Sequence, residues 1–298
     1  MIDICGVSRQ AIRMGVADVY ALLQGSSRSR IKGEGMEYVD FRPYAPGDDI
    51  RYVDWRMSAR RTGPGKTIDL VVKEFMSEKM VNTLIAVDMS SQLNFKEKIA
   101  GSLYTASLMT SLAGILEDRV YVGIIRDDRY RVFVPHRPRD AIYYLANTVC
   151  REKPSGGEID SAVLFADMVR KTRMIRGGVL ITDYSHRPDY IKSLKNLFRA
   201  RRLGIALIYM YDWAEINPPL DKGFIPICSL SGECIVNDIG EIYKAIREHV
   251  QRIRAVSRLV TPYTLSLAGL QGARANKLRI MDAYLSIRAR KPPVLSRR

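Results

Sequence analysis

Between Val81 and Met210, short apolar runs alternate with stretches of helical spacing, and this alternation constrains the fold more than any other feature of the chain. Val81–Val87 (VNTLIAV), Val120–Ile125, Gly178–Thr182 (GVLIT) and Ile205–Met210 (IALIYM) read as buried strands. Lys96–Leu116, Arg139–Cys150, Ser161–Lys171 and Asp189–Arg201 read as the helices between them. Strands apolar on both faces and separated by helices build a mostly parallel sheet covered on each side, an α/β fold. Arg131–Val134 follows its predecessor after only Arg126-Asp127-Asp128, which predicts an antiparallel edge pair. The first strand runs into Asp88-Met89-Ser90-Ser91-Gln92 rather than a glycine-rich phosphate loop, against a dinucleotide-binding reading.

The flanks differ in rhythm. Ser8–Gln24 carries Ile12, Val16, Val19, Tyr20 and Leu23 at helical spacing, with Ser8 to cap it and Gly25 to end it. Met36–Tyr44 and Ile50–Arg56 read as a hairpin turning at Ala45-Pro46-Gly47-Asp48, with Thr67–Phe75 as a third strand. Residues 1–79 are therefore expected to form a helix with a small antiparallel β-rich subdomain, and 80–212 the α/β domain. Residues 213–298 are expected to hold a hairpin (Ile225–Cys228 with Cys234–Val236), a basic helix over 239–259 and a patchily helical, mobile end.

Within the hairpin region Arg42, Arg51, Arg56, Arg60 and Arg61 interleave with Asp48, Asp49 and Asp54. Guanidiniums alternating with carboxylates at strand spacing favour a bidentate ion-pair network. A partner-recognition surface and a two-metal acidic centre are the alternatives. Trp55 is expected to anchor the hairpin against the α/β domain.

The four cysteines (Cys5, Cys150, Cys228, Cys234) show no metal spacing and read as reduced thiols. No apolar run reaches the roughly 18–20 residues that span a bilayer, and residues 1–25 carry charges foreign to a signal peptide, so a cytoplasmic location is expected. From Ile242 to Arg298 the sequence has 13 Lys and Arg against 2 Asp and Glu, most of the formal net charge of +15. Arg274, Lys277, Arg279, Arg288, Arg290 and Lys291 are the candidate contacts for nucleic acid, anionic lipid or an acidic protein face, against the plainer reading of a solvated helix surface. Of the histidines, His136 reads as a loop residue, His249 as part of the basic helix and His186 as surface-exposed near Asp183.

Gly33, Gly35, Arg42, Tyr44, Pro46, Gly47, Asp48, Asp49, Arg51, Asp54, Trp55, Ser58, Ala59 and Arg60 together resemble the signature of the family known as domain of unknown function 58. The resemblance implies a von Willebrand factor A-like α/β domain and a non-enzymatic adaptor that partners a MoxR-type AAA+ ATPase in assembling or activating protein complexes. It also implies a divalent-cation loop of the form D-x-S-x-S. Asp88 and Ser90 match that loop, and Gln92 stands at the second serine. Glu158 stands where a threonine is expected, and Asp183 matches the second aspartate. Mg²⁺ or Ca²⁺ is the cofactor these oxygens would suit. Otherwise the two aspartates merely cap helices. Two rival readings are nucleic-acid or anionic-membrane binding through the basic segment, and a metal-dependent hydrolase built on Asp88, Glu158 and Asp183 or on Asp48, Asp49 and Asp54.

Overall fold

A computed structural model describes residues 4–25, 36–45, 53–61, 70–77, 80–95, 97–152, 155, 157–217, 222–228 and 234–289. The chain divides into two compact units, Leu22–Met80 and the remainder, Met1–Ala21 with Val81–Arg298. The first helix, expected alongside the signature region, thus packs with the larger unit, and so does everything after Trp213.

The larger unit is built on one six-stranded sheet. Its strands are β3 (Asn82–Asp88), β4 (Arg119–Arg126), β5 (Arg129–Phe133), β6 (Gly177–Thr182), β7 (Gly204–Tyr211) and β10 (Thr264–Ala268). They lie in the order β10-β7-β6-β3-β4-β5. Every pairing is parallel except β4 with β5, the edge pair that the three-residue connection dictates. Counted along the chain within this sheet, the spatial order is third, second, first, fourth, fifth, sixth, with the third antiparallel. This is a von Willebrand factor A-like sheet.

Helices cover both faces. On one, α3 (Lys98–Ile115) is buried from Lys98 to Ala113, as its unbroken run of small and apolar residues requires. It is covered in turn by α1 (Ile4–Gly25) and α4 (Pro138–Arg151). Gly15 of α1 lies so close to α3 that a Cβ there would stand 2.1 Å from Ser107 Oγ, so only glycine fits. On the other face α5 (Ser161–Lys171), α6 (Pro188–Ala200) and α8 (Ile239–Val260) pack through Phe165, Ile191, Leu194, Phe198, Val250 and Ile253.

Two sequence expectations are corrected in this unit. Residues 261–289 hold the expected helical patches, α9 (Gly269–Ala275) and α10 (Lys277–Ala289), but before them comes a strand that was not expected, β10, the sixth of the sheet. Ile280, Ala283, Tyr284 and Ile287 of α10 are buried, and Tyr284 and Arg288 both donate to Asp118 Oδ2, at 3.0 and 2.8 Å. Nor are the cysteines reduced. Cys5 is bonded to Cys150, tying α1 to α4, and Cys234 is disulfide-bonded in the hairpin of β8 (Phe224–Cys228) and β9 (Cys234–Asp238).

In the smaller unit, β1 (Met36–Pro43) pairs antiparallel with β2 (Val71–Ser77); of the expected partner Ile50–Arg56, residues 50–52 lie outside the described residues. Val53 makes one isolated bridge to Val72, and the chain then turns into the helix α2 (Trp55–Arg61). Asp54 caps that helix, its Oδ1 accepting from the backbone N–H groups of Arg56 and Met57 at 3.1 and 3.0 Å. Ser58 fastens the helix to β2: its hydroxyl donates to Asp54 O and accepts from Val71 N.

Candidate functional site

In an open α/β sheet the crevice for a ligand opens at the carboxyl ends of the strands where the chain reverses its direction of travel across the sheet. Here that point lies between β3 and β6. Asp88 closes β3, and Asp183 immediately follows β6, so the two expected aspartates do meet there.

Their immediate partners are mostly residues that sequence reasoning passed over. Asp88 is buried, and its Oδ1 accepts from Ser90 N at 2.8 Å. Its Oδ2 accepts from Ser161 Oγ at 2.6 Å and Thr182 Oγ1 at 2.7 Å. Asp183 Oδ1 accepts from the backbone and hydroxyl of Ser185, and its Oδ2 takes Lys98 Nζ at 3.3 Å. Lys98 also pairs with Glu215 at 2.5 Å. His186 is not on the surface: its side chain is 2% exposed, with Nδ1 donating to Asp160 Oδ1 at 2.6 Å and Nε2 2.8 Å from Thr182 Oγ1. Asp160 is the N-cap of α5 and also accepts from Ala162 N and Arg187 N.

With the Thr182 hydroxyl donating to Asp88, the ring nitrogens of His186 face acceptors on both sides, Thr182 Oγ1 and Asp160 Oδ1, an arrangement that suits the imidazolium. Burial alone would lower its pKa, but the bond to Asp160 and the charges of Asp160, Asp183 and Asp88 outweigh burial and raise it. Asp160 moves the opposite way: burial would raise its carboxyl, but the bond and charge of His186, with the N–H groups of Arg187 and Ala162, hold it below the usual range. Asp88 goes up, because burial and the charge of Asp183 outweigh its two hydroxyl donors.

Thr182, His186 and Asp160 thus share the connectivity of a hydroxyl–imidazole–carboxylate triad, with the hydroxyl fully buried and donating to Asp88.

A polar cleft of about 390 Å³ stands over this network, lined by Asp88, Ser90, Gln92, Glu158, Asp160, Ser161 and His186, with Arg126 and Arg187 at its side. Gly157 lets its wall close, since a Cβ there would meet Asp128 Oδ1 at 2.2 Å. Whether a hard cation suits the cleft turns on its donors. Ser90 Oγ is buried with no hydrogen-bond partner among the described residues, a free oxygen beside Asp88. The cleft lining carries Asp88, Asp127, Glu158 and Asp160 against Arg126, Arg187 and His186. Among the described residues no three or more His, Cys, Asp or Glu are grouped so as to hold a metal ion. Asp183, bound to Lys98, lies outside the cleft lining.

On the other side of Asp183 lies a larger groove of about 1190 Å³, lined mainly by apolar side chains of α8, with Phe95, Met210, Tyr211, Ile216 and Ile225. Gln92 and Ser185 line both cavities, so the two adjoin.

The remaining expected residues fall as follows. Gly47, Asp48, Asp49, Arg51, Arg290 and Lys291 lie outside the described residues, as does the side chain of Arg42. Tyr44 is half-buried and donates its backbone N–H to Leu70 O. Trp55 opens α2 at 60% exposure, and Arg60 is exposed. Much of the basic segment is used internally: Arg274 and Lys277 pair with Asp18, Arg288 with Asp118, and Arg279 donates to Asn276.

Uncharacterized proteins of Mycobacterium bovis and Mycobacterium tuberculosis are 28% identical over 206 residues, covering 66% of this chain and 62% of theirs. The chain therefore spans less than two thirds of the length of those relatives. Among solved structures, an aerotolerance-related membrane protein of Bacteroides fragilis is similar at 15% identity and a TM-score of 0.41, over 69% of this chain and 99% of that one. The conserved hypothetical protein BatB of Bacteroides thetaiotaomicron is similar at 15% identity and a TM-score of 0.42, over 69% and 100%. The family described as Protein of unknown function DUF58 matches residues 40–258, from β1 through nearly all of α8, and the chain belongs to it.

Proposed function

We propose that this chain is a non-enzymatic protein-interaction module that docks its partner on the carboxyl end of the six-stranded sheet. One observation carries the reading: the polar cleft over Asp88 and the apolar groove beside Asp183 adjoin along Gln92 and Ser185, giving a continuous surface with both apolar and charged features. Such a surface combines the apolar contact that drives association with the charges that orient it. The network beneath it supports the same reading, since its hydroxyls and imidazole are committed to neighbouring side chains rather than poised as nucleophile and base.

The partner in this proposal is a MoxR-type AAA+ ATPase, as the family resemblance implies. A Mg²⁺ or Ca²⁺ ion is a second element of it, favoured by the unpartnered hydroxyl of Ser90. Asp88, Ser90, Gln92 and Glu158 would hold the ion, and it would supply positive charge for a partner's carboxylate. Nucleic-acid or anionic-membrane binding through the basic segment is disfavoured by the internal ion pairs of Arg274, Lys277 and Arg288. Hydrolysis at Asp88, Glu158 and Asp183 is disfavoured by the ammonium of Lys98 on Asp183.

The test is biolayer interferometry between the full chain and a MoxR-type ATPase from the same genome, with and without ATP. Saturable binding weakened about tenfold or more by Gln92→Arg supports the proposal, a change near 1.4 kcal/mol. Absence of binding, or binding indifferent to Gln92→Arg, overturns it.

A further inference from the structure

The geometry points to one amphipathic helix of a protein partner as the occupant of the groove beside Asp183, its apolar face inward and a basic residue over Glu215 and Glu241. This rests on the interaction reading above and names the chemistry of the partner.

The first support is the shape of the apolar lining. Ile242, Ile246 and Val250 recur every four residues along α8 and present one stripe to the groove. Ile242 and Ile246 are only half-buried, whereas the same spacing carried further reaches the fully buried Ile253 and Ser257. Among the described residues the helix is therefore packed at its C-terminal half and open at its N-terminal half. Phe95, a large apolar side chain of the groove lining, is 43% exposed. Continuous apolar surface of this kind on a folded domain marks an interaction site. A helix about 10–12 Å across is the element that fits a groove walled by another helix.

The second support is charge. Of the charged groups lining the groove, Lys98 is buried and spent on Asp183 and Glu215. Asp183 and Glu215 share that one ammonium and Glu241 is exposed, so three carboxylates line the groove against one lysine and it is acidic on a chain whose net charge is +15. A second copy of this chain would set one acidic groove against another. An anionic lipid would bring its phosphate against these carboxylates. A partner helix with Lys or Arg beside its apolar face meets neither penalty.

The test uses two peptides of roughly 18 residues, long enough to be helical when bound, with Leu at i, i+4, i+7 and i+11. One carries Lys on its polar face and the other Glu, and each is titrated by fluorescence polarisation against the full chain. The Lys peptide is expected to saturate and to bind at least about tenfold tighter than its Glu twin, a gap near 1.4 kcal/mol. Ile246→Asp should abolish this binding. Glu241→Lys, at an exposed site in the first turn of α8, should narrow the gap between the peptides. No saturation, equal affinities, or indifference to both variants overturns the inference. So does Ile246-dependent capture of phosphatidylglycerol vesicles, or Ile246-dependent self-association in sedimentation. If the ATPase still binds Ile246→Asp while the peptides fail, only the groove inference falls. If the peptides bind and the ATPase does not, only the choice of partner falls.

Discussion

The Nζ of Lys98 stands 3.3 Å from Oδ2 of Asp183, joining the first turn of the buried helix α3 to the end of β6 across 85 residues of sequence. Both side chains are nearly inaccessible, at 2% and 7% exposure. A buried pair of this kind holds its place by mutual need more than by net gain, because two charges were taken out of water to make it.

Lys98→Met should therefore destabilise the larger unit by about 3–5 kcal/mol, since it strands the Asp183 carboxylate. Adding Asp183→Asn to Lys98→Met should recover a large part of that loss. Urea denaturation of the two single variants and the double variant reads the coupling. Strict additivity would show that the pair is not coupled.

The imidazolium of His186 makes stability depend on pH with a definite sign. Its folded pKa is raised, so its contribution is complete below the ordinary histidine value near 6.5 and is lost as pH rises through the folded value. Asp160 is depressed, so its contribution is present above the ordinary aspartate value near 3.8 and is lost as pH falls through the folded one. Asp88, raised, adds to the loss on the alkaline side of its own folded pKa. Thermal unfolding should thus give a melting temperature highest in mildly acid solution and falling toward alkaline pH. His186→Gln should flatten the alkaline limb. An unchanged slope in that variant would remove the imidazolium from the account.

Calorimetric titration of chelator-stripped protein with Mg²⁺, Ca²⁺ and Mn²⁺ tests the cation. Saturable binding is expected, lost in Asp88→Ala and weakened in Ser90→Ala, whose hydroxyl is the unpartnered oxygen at the cleft. Failure to bind at millimolar cation would leave Lys98 and His186 as the positive charges of the site.

Cys5 and Cys150 are 145 residues apart, so their bond removes much freedom from the unfolded chain. Cys5→Ser should cost about 2–5 kcal/mol by that measure, and dithiothreitol should lower the melting temperature of the parent more than that of the variant, which keeps the hairpin disulfide of Cys234. A parent indifferent to reductant would place the thiols apart in solution.

The α/β body was largely legible, and for a clear reason. Strands buried on both faces, such as Val179–Ile181 and Ile205–Met210, announce themselves as uninterrupted apolar runs. Thr264–Ala268 did not, because its alternating burial is spread over five residues inside a segment whose basic charge suggested a tail. The signature strand Met36–Pro43 was also legible, but its partner was not. The turn at Pro46-Gly47 invited pairing with Ile50–Arg56, while β1 pairs with residues some thirty positions on and Asp54 starts a helix. At the site, Asp88 and Asp183 could be read from where strands end. Their partners come from three other segments, which only the fold brings together. Lys98 was the one available signal, a lone ammonium heading an otherwise small and apolar helix. Asp160 and Ser161 hid in a cap and the first turn beyond it, and His186 was misread because nothing local marks it as buried.

Leu22–Met80 interrupts the larger unit instead of preceding it, and this has a consequence for the order in which the protein is made. During translation α1 emerges well before the α3 and α4 surfaces it covers. In that interval the apolar stripe of α1 faces solvent or a chaperone, and the Cys5 thiol has no Cys150 to meet. The inserted unit, complete by Met80, is free to close on itself while its own leading helix waits. A nascent chain stalled before α4 would thus pair a folded insert with an unsheltered α1, and protease attack on such a chain should begin within α1.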